Sequence, residues 1–479
     1  MRDFIEKNMS RFKTSHIFDK QNKYTYKQIL ELTVLHGSKL MSVLPAEAKC
    51  AILCDSGVHT VIALLSCWYA KMIPIPMSKH YGEAHCGAIV ELTKPNIILT
   101  DNEENQSFCG YAYDIYKQCF IGNIPIIQDE PELNDVSLIM CTSGTTGKPK
   151  GTMITTEGLR KNVRAIANYF RLTDGDTILI ARPLYHCAVL TGEFLIALYS
   201  GANIMFFDDK YNPNSVLQAA VKHKVSVLCG TPTLINHLSR FIQRNNIQHG
   251  VRKIAISGEC LSKMIAVNIR RGFPDTEIYH VYGLTEASPR VSYLSAEKFD
   301  EIPESSGNPL NGIQIKIIDD AQNELPANSH GQVIVKTPCV MKGYYHNEEA
   351  TQKAIRGDWL YTGDIGYKDE NGYLYIVSRA DDMIIKGGIN IYPKEIENRV
   401  LKIKEVSECT SYGVKLDAGQ GIALDVVLND EAKPTSKKEL MSLLSNVLPA
   451  YQMPSELNVV DFIRRNASGK FVRNSYNRS

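Results

Sequence analysis

The chain has 479 residues, with 53 Lys and Arg against 52 Asp and Glu, so its net charge is close to zero. A chain of this length can bury a large core and is expected to form more than one domain. The charge balance gives no overall field that would direct the protein to nucleic acid or to an anionic membrane. The twelve cysteines form neither a C-x-x-C pair nor a zinc-binding pattern. Reduced thiols are therefore expected.

The amino terminus and the most apolar stretch both argue against a targeting or membrane segment. Charged residues lie within the first nine positions, where a signal peptide would need an apolar core. The apolar stretch over 61–70 has about half the length needed to span a bilayer, so it predicts a buried helix. We expect a cytoplasmic protein without a membrane span.

Strand-like apolar runs alternate with helix-like segments along the first two thirds of the chain. The predicted strands are 50–54, 72–76, 177–181, 203–207, 225–229 and 253–257. Short strands rich in Val and Ile, separated by helices, are typical of mostly parallel sheets covered by helices. The sequence therefore predicts an α/β fold for this region.

A run of hydroxyls, glycines and lysines follows the predicted strand 136–141. It reads Thr142, Ser143, Gly144, Thr145, Thr146, Gly147, Lys148, Pro149, Lys150 and Gly151. Glycines let successive backbone N–H groups turn toward one anion, and the hydroxyls and lysines add donors and positive charge. The run predicts a polyphosphate-binding loop but not a Walker A loop, because Pro149 follows Lys148. The next helix is expected to have Thr156 as its N-cap.

The pattern changes near residue 310. Alternating segments at 313–318, 331–336 and 372–377 predict a strand-rich, barrel-like subdomain. A charged run at 378–382 then precedes a compact α+β segment, and exposed charged residues suit a hinge. We therefore expect two domains. The N-terminal domain covers 1–380, with sheets at about 1–309 and the barrel-like part at about 310–377. The C-terminal domain, over 381–479, is expected to be small and mobile.

Several further motifs follow the loop in order. They are Pro183-Leu184-Tyr185-His186, Ser257-Gly258-Glu259, Tyr282-Gly283-Leu284-Thr285-Glu286, Tyr361-Thr362-Gly363-Asp364, Arg379-Ala380-Asp381 and Asn466-Ala467-Ser468-Gly469-Lys470. Together with the phosphate loop they resemble the adenylate-forming superfamily, which includes the acyl-CoA synthetases, and they cover essentially the whole chain. In that superfamily a carboxylate attacks the α-phosphate of ATP, so the site must offset negative charge on both reactants.

The resemblance implies a role for each matching residue. The loop from Thr142 to Lys150 would hold the β- and γ-phosphates, Thr285 the α-phosphate and Glu286 a Mg²⁺ ion. Adenine would meet Tyr282, Gly283, Gly258 and Glu259, and the ribose would meet Asp364 and Arg379. His186 would line the acid pocket, Asp381 would be the hinge, and Lys470 would be the catalytic lysine.

One segment distinguishes between branches of the superfamily. Gly387-Gly388-Ile389-Asn390-Ile391-Tyr392-Pro393 resembles the segment at which acyl- and aryl-CoA ligases admit the pantetheine arm of CoA, with Gly388 allowing close approach. The His186 segment lacks the aspartate with which peptide-synthetase domains pair an amino group. Its apolar continuation, 188–190, favours a hydrophobic acid, and a fatty acid ahead of an aryl acid. The expected co-substrates are ATP, with Mg²⁺, and CoA.

Other acceptors and classes stay open from the sequence. A stand-alone enzyme that loads an acyl-carrier protein shares every residue of the first step. A luciferase-like oxygenase is more remote, because no residue signals oxygen chemistry. A non-catalytic nucleotide-binding protein would not need Lys150, Glu286 and Lys470, all of which are present. The chain also departs from the family pattern at Lys71, where a glycine is usual.

Overall fold

The computed structural model describes most of the chain and divides it into two compact units. The described residues are 1–78, 82–123, 130–143, 149–208, 212–386, 389–416, 419–429 and 436–463. The first unit comprises 1–258, 264–315 and 335–361, and the second comprises 259–263, 316–334 and 362–479. The sequence predicts a domain boundary between residues 380 and 381, with Asp381 as the hinge. This boundary stays a prediction.

Helices occur in both units. They are α1 (Arg2–Arg11), α2 (Tyr26–Met41), α3 (Gly57–Tyr69), α4 (Glu83–Thr93), α5 (Thr156–Phe170), α6 (Cys187–Val189), α7 (Ile196–Ser200), α8 (Pro213–Lys222), α9 (Pro232–Asn245), α10 (Lys263–Gly272), α11 (Glu348–Ala354), α12 (Pro393–Val400) and α13 (Lys437–Val447). A π-helical segment, Leu190–Leu195, joins α6 to α7. One of the 3₁₀ turns covers Thr285–Ala287.

Most of the strands are short, as their apolar runs predict. They are β1 (His16–Phe18), β2 (Lys23–Thr25), β3 (Lys49–Leu53), β4 (Ile73–Pro76), β5 (Ile97–Thr100), β6 (Tyr111–Asp114), β7 (Cys119–Gly122), β8 (Val136–Ser143), β9 (Pro149–Thr155), β10 (Thr177–Ile180), β11 (Asn203–Phe206), β12 (Val227–Gly230), β13 (Lys253–Ile256), β14 (Glu277–Gly283), β15 (Arg290–Leu294), β16 (Asn308–Pro309), β17 (Gln314–Ile318), β18 (Gly331–Lys336), β19 (Gly343–Tyr344), β20 (Ile355–Arg356), β21 (Trp359–Lys368), β22 (Leu374–Arg379), β23 (Ile384–Lys386), β24 (Ile389–Ile391), β25 (Val406–Leu416), β26 (Gly419–Leu428) and β27 (Glu456–Val459).

The central sheet of the first unit has nine strands in the order β16-β15-β14-β13-β12-β10-β11-β1-β2. The strands from β14 to β1 are parallel, while β15 and β2 pair antiparallel to their neighbours. Every residue of β12 and β13 is buried, as expected where helices cover both faces of a parallel sheet. The predicted α/β class is confirmed.

Two smaller sheets complete the first unit. One has the order β4-β3-β5-β6-β7, in which β4, β3, β5 and β6 are parallel. The other has the order β19-β9-β8 and contains the two strands that flank the predicted phosphate loop. The helix predicted over 61–70 is α3, whose residues Val61–Tyr69 are all buried.

The strand-rich segment predicted near 310–377 is present. It forms a sheet of order β17-β18-β21-β20, and β22 pairs with β21. The C-terminal part of the second unit has its own core, in which α12 and α13 pack with strands β25, β26 and β27 through Ile396, Val400, Leu424, Leu440 and Leu444. A separate apolar core is what allows a C-terminal segment to fold as a compact piece.

Two local expectations are resolved by backbone geometry. The N-cap of α5 is Thr155 and not Thr156, so that prediction was wrong by one residue. Thr155 has an extended backbone and its hydroxyl accepts from the N–H of Gly158 at 3.1 Å. Lys71 has φ of 57°, a left-handed value. Glycine adopts this conformation without strain, which explains the family's usual residue there.

None of the twelve cysteines, all of which lie among the described residues, forms a disulfide bond. Within the part of the chain that the structure describes, no helix combines the length and the apolar character needed to cross a bilayer.

A buried histidine predicts a pH dependence of stability. His36, on α2, is 2% exposed and its Nδ1 lies 2.8 Å from the hydroxyl of Tyr113. Burial, aided by the charges of Lys39 and His59, lowers its pKa from 6.5 to about 4. Between these pH values the unfolded chain binds a proton that the folded protein excludes, so the free energy of unfolding falls as the pH is lowered through this window.

Lowering the pH from 7 to 4 should reduce the free energy of unfolding of wild type by about 3 kcal/mol through His36. We expect this contribution to be absent in His36→Gln. The measurement is urea unfolding of wild type and variant at pH 7 and pH 4. A His16→Gln variant is the control, because His16 lies partly exposed on β1. Equal losses in wild type and His36→Gln would show that His36 does not carry the effect.

Candidate nucleotide-binding site

The predicted phosphate loop connects the two strands of a β-hairpin. β8 and β9 pair antiparallel, with Thr142 opposite Lys150 and Ser143 opposite Pro149. The two ends of the loop are therefore adjacent, and Thr142 and Lys150 are both half-buried. The other loop residues, Gly144, Thr145, Thr146, Gly147 and Lys148, lie outside the described residues, so their phosphate contacts stay a prediction.

Tyr344 connects the end of this hairpin with the carboxylate predicted to hold magnesium. Its hydroxyl donates to Oε1 of Glu286 at 2.7 Å. The Nζ of Lys150 lies 5.2 Å from the centroid of its ring, within cation–π distance. The structure thus brings together Lys150 and Glu286, two predicted site residues separated by more than a hundred positions in sequence.

The turn that follows β14 holds Thr285 and Glu286. The N–H of Leu284 donates to the carbonyl of Pro289 at 2.9 Å. A Cβ on Gly283 would lie 2.0 Å from that same carbonyl oxygen. The motif therefore requires glycine at position 283 because the two backbone segments of the turn approach so closely. Ser288 closes the turn with its hydroxyl, which donates to the carbonyl of Cys339 at 2.8 Å.

A buried asparagine on α5 anchors the far end of this turn. The Nδ2 of Asn162 donates to the carbonyl of Arg290 at 2.8 Å, and the N–H of Arg290 donates to its Oδ1 at 3.1 Å. Asn162 is fully buried. α5 begins just after β9, so this side chain links the helix that follows the phosphate hairpin to the Thr285–Ala287 turn.

We expect Asn162→Ala to destabilise the protein by about 2–4 kcal/mol, because two buried backbone groups lose their partners. The adenylation that the sequence resemblance implies should fall as well, since the turn loses its anchor. Thermal unfolding and acid-dependent pyrophosphate exchange are the measurements. Asn168→Ala is the matched control, because Asn168 lies on the exposed face of the same helix. An unfolding midpoint for Asn162→Ala equal to that of the control would contradict the assignment.

The remaining adenine-site candidates of the first unit lie at the carboxyl ends of parallel strands. Gly258 follows β13 with φ of 94°, and a Cβ at this position would lie 3.8 Å from the methyl group of Thr231, which follows β12. Tyr282 lies at the carboxyl end of β14 and is half-buried. Ligands of open α/β sheets bind at this edge, so both residues are where a nucleotide is expected.

His186 caps the short helix α6, and its carbonyl accepts from the N–H groups of Val189 and Leu190 at 2.9 Å each. Its ring lies 4.3 Å from that of Tyr185. Burial raises the pKa of the adjacent Cys187 thiol to about 12, and the charge of Glu286 adds to this rise.

The second unit contains the predicted ribose pair. Asp364 on β21 stands opposite Arg379 on β22. The Nη1 of Arg379 donates to Oδ1 of Asp364 and to the carbonyl of Thr362, both at 3.0 Å. Glu259, also in this unit, is half-buried, and Asp381 is exposed in the 3₁₀ turn after β22. Gly388 and Lys470 lie outside the described residues.

A cavity of about 660 Å³ in the first unit lies elsewhere. It is bounded by α5 and by the amino-terminal ends of β13 and β14, including Lys253 and Glu277. These two side chains form an ion pair, and the hydroxyl of Tyr279 donates to Glu277 at 2.7 Å. The cavity is at the opposite edge of the sheet from Gly258 and Tyr282, so we do not assign the nucleotide to it.

Two residues of this site, Asn162 and Tyr344, carry little sequence signal. Asn162 is one polar residue on an amphipathic helix. Tyr344 follows Gly343 in a short strand, and only the pairing of β19 with β9 brings it to the hairpin. A glycine next to a tyrosine suggests close backbone packing, but it does not indicate which groups the tyrosine contacts.

Comparisons with known proteins agree with this geometry. The chain matches the AMP-binding enzyme family over residues 5–345 and the AMP-binding enzyme C-terminal domain over 395–470. It is 30% identical over 436 residues to a 2-succinylbenzoate–CoA ligase of Oceanobacillus iheyensis, covering 86% of this chain and 88% of that protein. It is 27% identical over 422 residues to a feruloyl-CoA synthase of Amycolatopsis sp, covering 87% and 85%.

Solved structures show the same likeness. The o-succinylbenzoate CoA synthetase of Bacillus subtilis, in complex with its acyl-adenylate intermediate, superposes with a TM-score of 0.87 at 26% identity, covering 100% of this chain and 98% of that one. The same enzyme in complex with ATP and magnesium gives a TM-score of 0.85 at 25% identity, with 99% of each chain covered.

The parallel sheets, the hairpin that flanks the phosphate loop and the Thr285–Glu286 turn define an adenylate-forming enzyme. More particularly, the chain belongs to the AMP-binding enzyme family and to its acyl-CoA ligase branch. It is an AMP-forming acid–thiol ligase. Its co-substrates are ATP and CoA, and its cofactor is Mg²⁺.

Proposed function

We propose that the chain activates a hydrophobic aryl carboxylic acid and transfers it to CoA in two half-reactions. In the first, a carboxylate oxygen attacks the α-phosphorus of ATP, and the bond to pyrophosphate breaks to leave acyl-AMP. In the second, the CoA thiol attacks the acyl carbonyl carbon, and the bond to AMP breaks to give acyl-CoA. The thiol proton leaves with the AMP phosphate or solvent.

The convergence of Lys150, Tyr344 and Glu286 carries this proposal. Two anions must meet in the first half-reaction, so the site needs positive charge for the phosphates and a carboxylate to recruit a cation. Lys150 supplies the first and Glu286 the second, and the two lie on either side of one tyrosine.

The donor set at Glu286 fits a magnesium ion. Oε1 accepts from Tyr344, and an ionised carboxylate has further lone pairs that can bind a cation. Mg²⁺ usually binds proteins through one or two carboxylates and keeps several waters. When bound, the ion would neutralise phosphate charge, and Glu286 would hold it.

The other roles are proposed from the family pattern. Thr285 would donate to the α-phosphate, and Tyr282 would offer its ring to adenine. Asp364 and Arg379 would bind the ribose hydroxyls, for which their placement on paired strands is suitable. Lys470 would serve the first half-reaction and Gly388 the second, with Asp381 as the hinge between two positions of the C-terminal segment.

The acid is chosen from the relatives and from the residues of the predicted acid pocket. The sequence favours a fatty acid over an aryl acid, and this preference is not confirmed. The relatives that resemble the chain are named for 2-succinylbenzoate and ferulate, both aryl acids. The rings of Tyr185 and His186 lie 4.3 Å apart at the predicted acid pocket, where flat aromatic rings would suit an aromatic acid. We therefore propose an aryl acid.

Pyrophosphate release with a panel of acids tests this choice. We expect turnover with 2-succinylbenzoate- or cinnamate-type acids to exceed that with fatty acids of graded length. A clear preference for a fatty acid would contradict the proposed aryl acid, but it would leave the proposed adenylating activity intact.

The acceptor is tested separately by mass spectrometry of products formed with CoA or with a phosphopantetheinylated carrier protein. We expect acyl-CoA. If only the carrier protein is acylated, the acceptor is the carrier protein and not CoA. ATP binding without any acid-dependent AMP release would favour a non-catalytic nucleotide-binding protein.

A further inference from the structure

We propose that Tyr344 is a positioning residue that sets the distance between the magnesium-binding carboxylate of Glu286 and the phosphate-binding ammonium of Lys150. The inference rests on the proposed function, since it assigns these two residues to Mg²⁺ and phosphate. It adds a residue that none of the motifs contains.

The backbone of Tyr344 is held on several sides. β19 pairs with β9, placing Gly343 opposite Met153 and Tyr344 opposite Thr152. The N–H of Tyr344 donates to Oγ1 of Thr351 at 2.8 Å. Gly343 has φ of 154°, and a Cβ there would lie 2.9 Å from a methyl carbon of Thr351. A side chain attached to so constrained a backbone can hold its partners in a fixed geometry.

The hydroxyl acts on Glu286. Its hydrogen bond to Oε1 at 2.7 Å is charge-assisted and therefore stronger than one between neutral groups. The backbone of the same residue is also fixed, because the carbonyl of Glu286 accepts from the N–H of Met341 at 2.8 Å. With one oxygen held, the carboxylate has less freedom to rotate before a cation binds, so less ordering entropy is lost on binding.

The ring acts on Lys150. The ammonium lies 5.2 Å from the ring centroid, where the electron-rich face attracts a cation. A long lysine side chain otherwise samples many rotamers. One tyrosine thus restrains two groups of opposite charge, Glu286 through its hydroxyl and Lys150 through its ring, and the hydroxyl can be removed while the ring stays.

The next residue provides a matched control. Tyr345 is 1% exposed, and its hydroxyl donates to Oε2 of Glu130 and accepts from Nζ of Lys49, both at 2.6 Å. It therefore has a similar partnership with one carboxylate and one lysine, but neither belongs to the predicted nucleotide site. Loss of its hydroxyl should affect stability and not magnesium.

Calorimetric titration of ATP into the full-length protein separates the two contacts. With excess Mg²⁺, Tyr344→Phe is expected to raise the dissociation constant of MgATP about tenfold, because the hydrogen bond to a charged group is lost. With EDTA in place of Mg²⁺, the same variant should bind ATP as wild type does, because its ring still faces Lys150.

Tyr344→Leu removes the ring as well. We expect it to weaken ATP binding about threefold even in EDTA, as loss of a cation–π contact would. Tyr345→Phe should bind MgATP as wild type does, although its thermal unfolding midpoint should be lower.

Magnesium-independent weakening by Tyr344→Phe, or equal effects of Tyr344→Phe and Tyr345→Phe on MgATP affinity, would overturn the inference. Unchanged MgATP binding in Tyr344→Phe would do the same. The proposed function fails in a different way, namely if wild type binds MgATP but shows no acid-dependent pyrophosphate exchange. The two proposals are therefore tested by different measurements.

Discussion

Lys470→Ala is expected to abolish acid-dependent pyrophosphate exchange while leaving thioester formation from supplied acyl-AMP close to the wild-type rate. The first half-reaction joins two anions, and the lysine is proposed to offset the charge on the attacking carboxylate and the bridging oxygen. Loss of such an electrostatic contact costs two to three orders of magnitude in rate, or about 3–4 kcal/mol. In the second half-reaction the thiol attacks an acyl carbonyl carbon and not a triphosphate, so that step does not need the same group.

Single-turnover assays of each half-reaction provide the measurement. Lys415→Ala is the control, because Lys415 is an exposed lysine of the same unit. Equal loss of both half-reactions in Lys470→Ala would contradict the division of labour, as would retention of pyrophosphate exchange.

Glu286→Gln is expected to lower kcat/KM for MgATP by about a hundredfold, equivalent to about 2.7 kcal/mol. The substitution keeps the size and the hydrogen-bonding capacity of the side chain, so the contact with Tyr344 can persist. It removes the negative charge that a magnesium ion requires. The concentration of Mg²⁺ needed for half-maximal rate should rise in parallel.

A titration of activity against free Mg²⁺ at fixed ATP checks this expectation. Glu297→Gln is a suitable control because Glu297 is exposed in the same unit. A Glu286→Gln variant with the wild-type magnesium requirement and a lower maximal rate would indicate that Glu286 acts on the substrate and not on the cation.

The arrangement of strands and helices was largely predictable from the sequence, because buried parallel strands have a distinctive composition. The runs at 203–207 and 253–257 became β11 and β13 with few shifts at the ends. The local sequence pattern did not identify the N-cap of α5 correctly. Thr155 and Thr156 are chemically equivalent, and only the extended backbone of Thr155 makes it the N-cap of α5.

The candidate site was predictable where a motif is contiguous. Glycine is obligatory at 283 because a backbone carbonyl occupies the space of its missing Cβ, so the motif itself contains that information. By contrast, the contact of Tyr344 with Glu286 and Lys150 depends on the pairing of β19 with β9. No local pattern encodes a pairing between strands almost two hundred residues apart.

An isotope-exchange assay tests most directly whether the protein forms acyl-AMP and then acyl-CoA. Purified wild-type protein is incubated with ATP, Mg²⁺, labelled pyrophosphate and an aryl acid, and CoA is added afterwards. We expect acid-dependent incorporation of label into ATP, and then conversion to acyl-CoA and AMP in equal amounts when CoA is added. Cleavage of ATP to ADP and phosphate, or AMP release that does not depend on the acid, would contradict it.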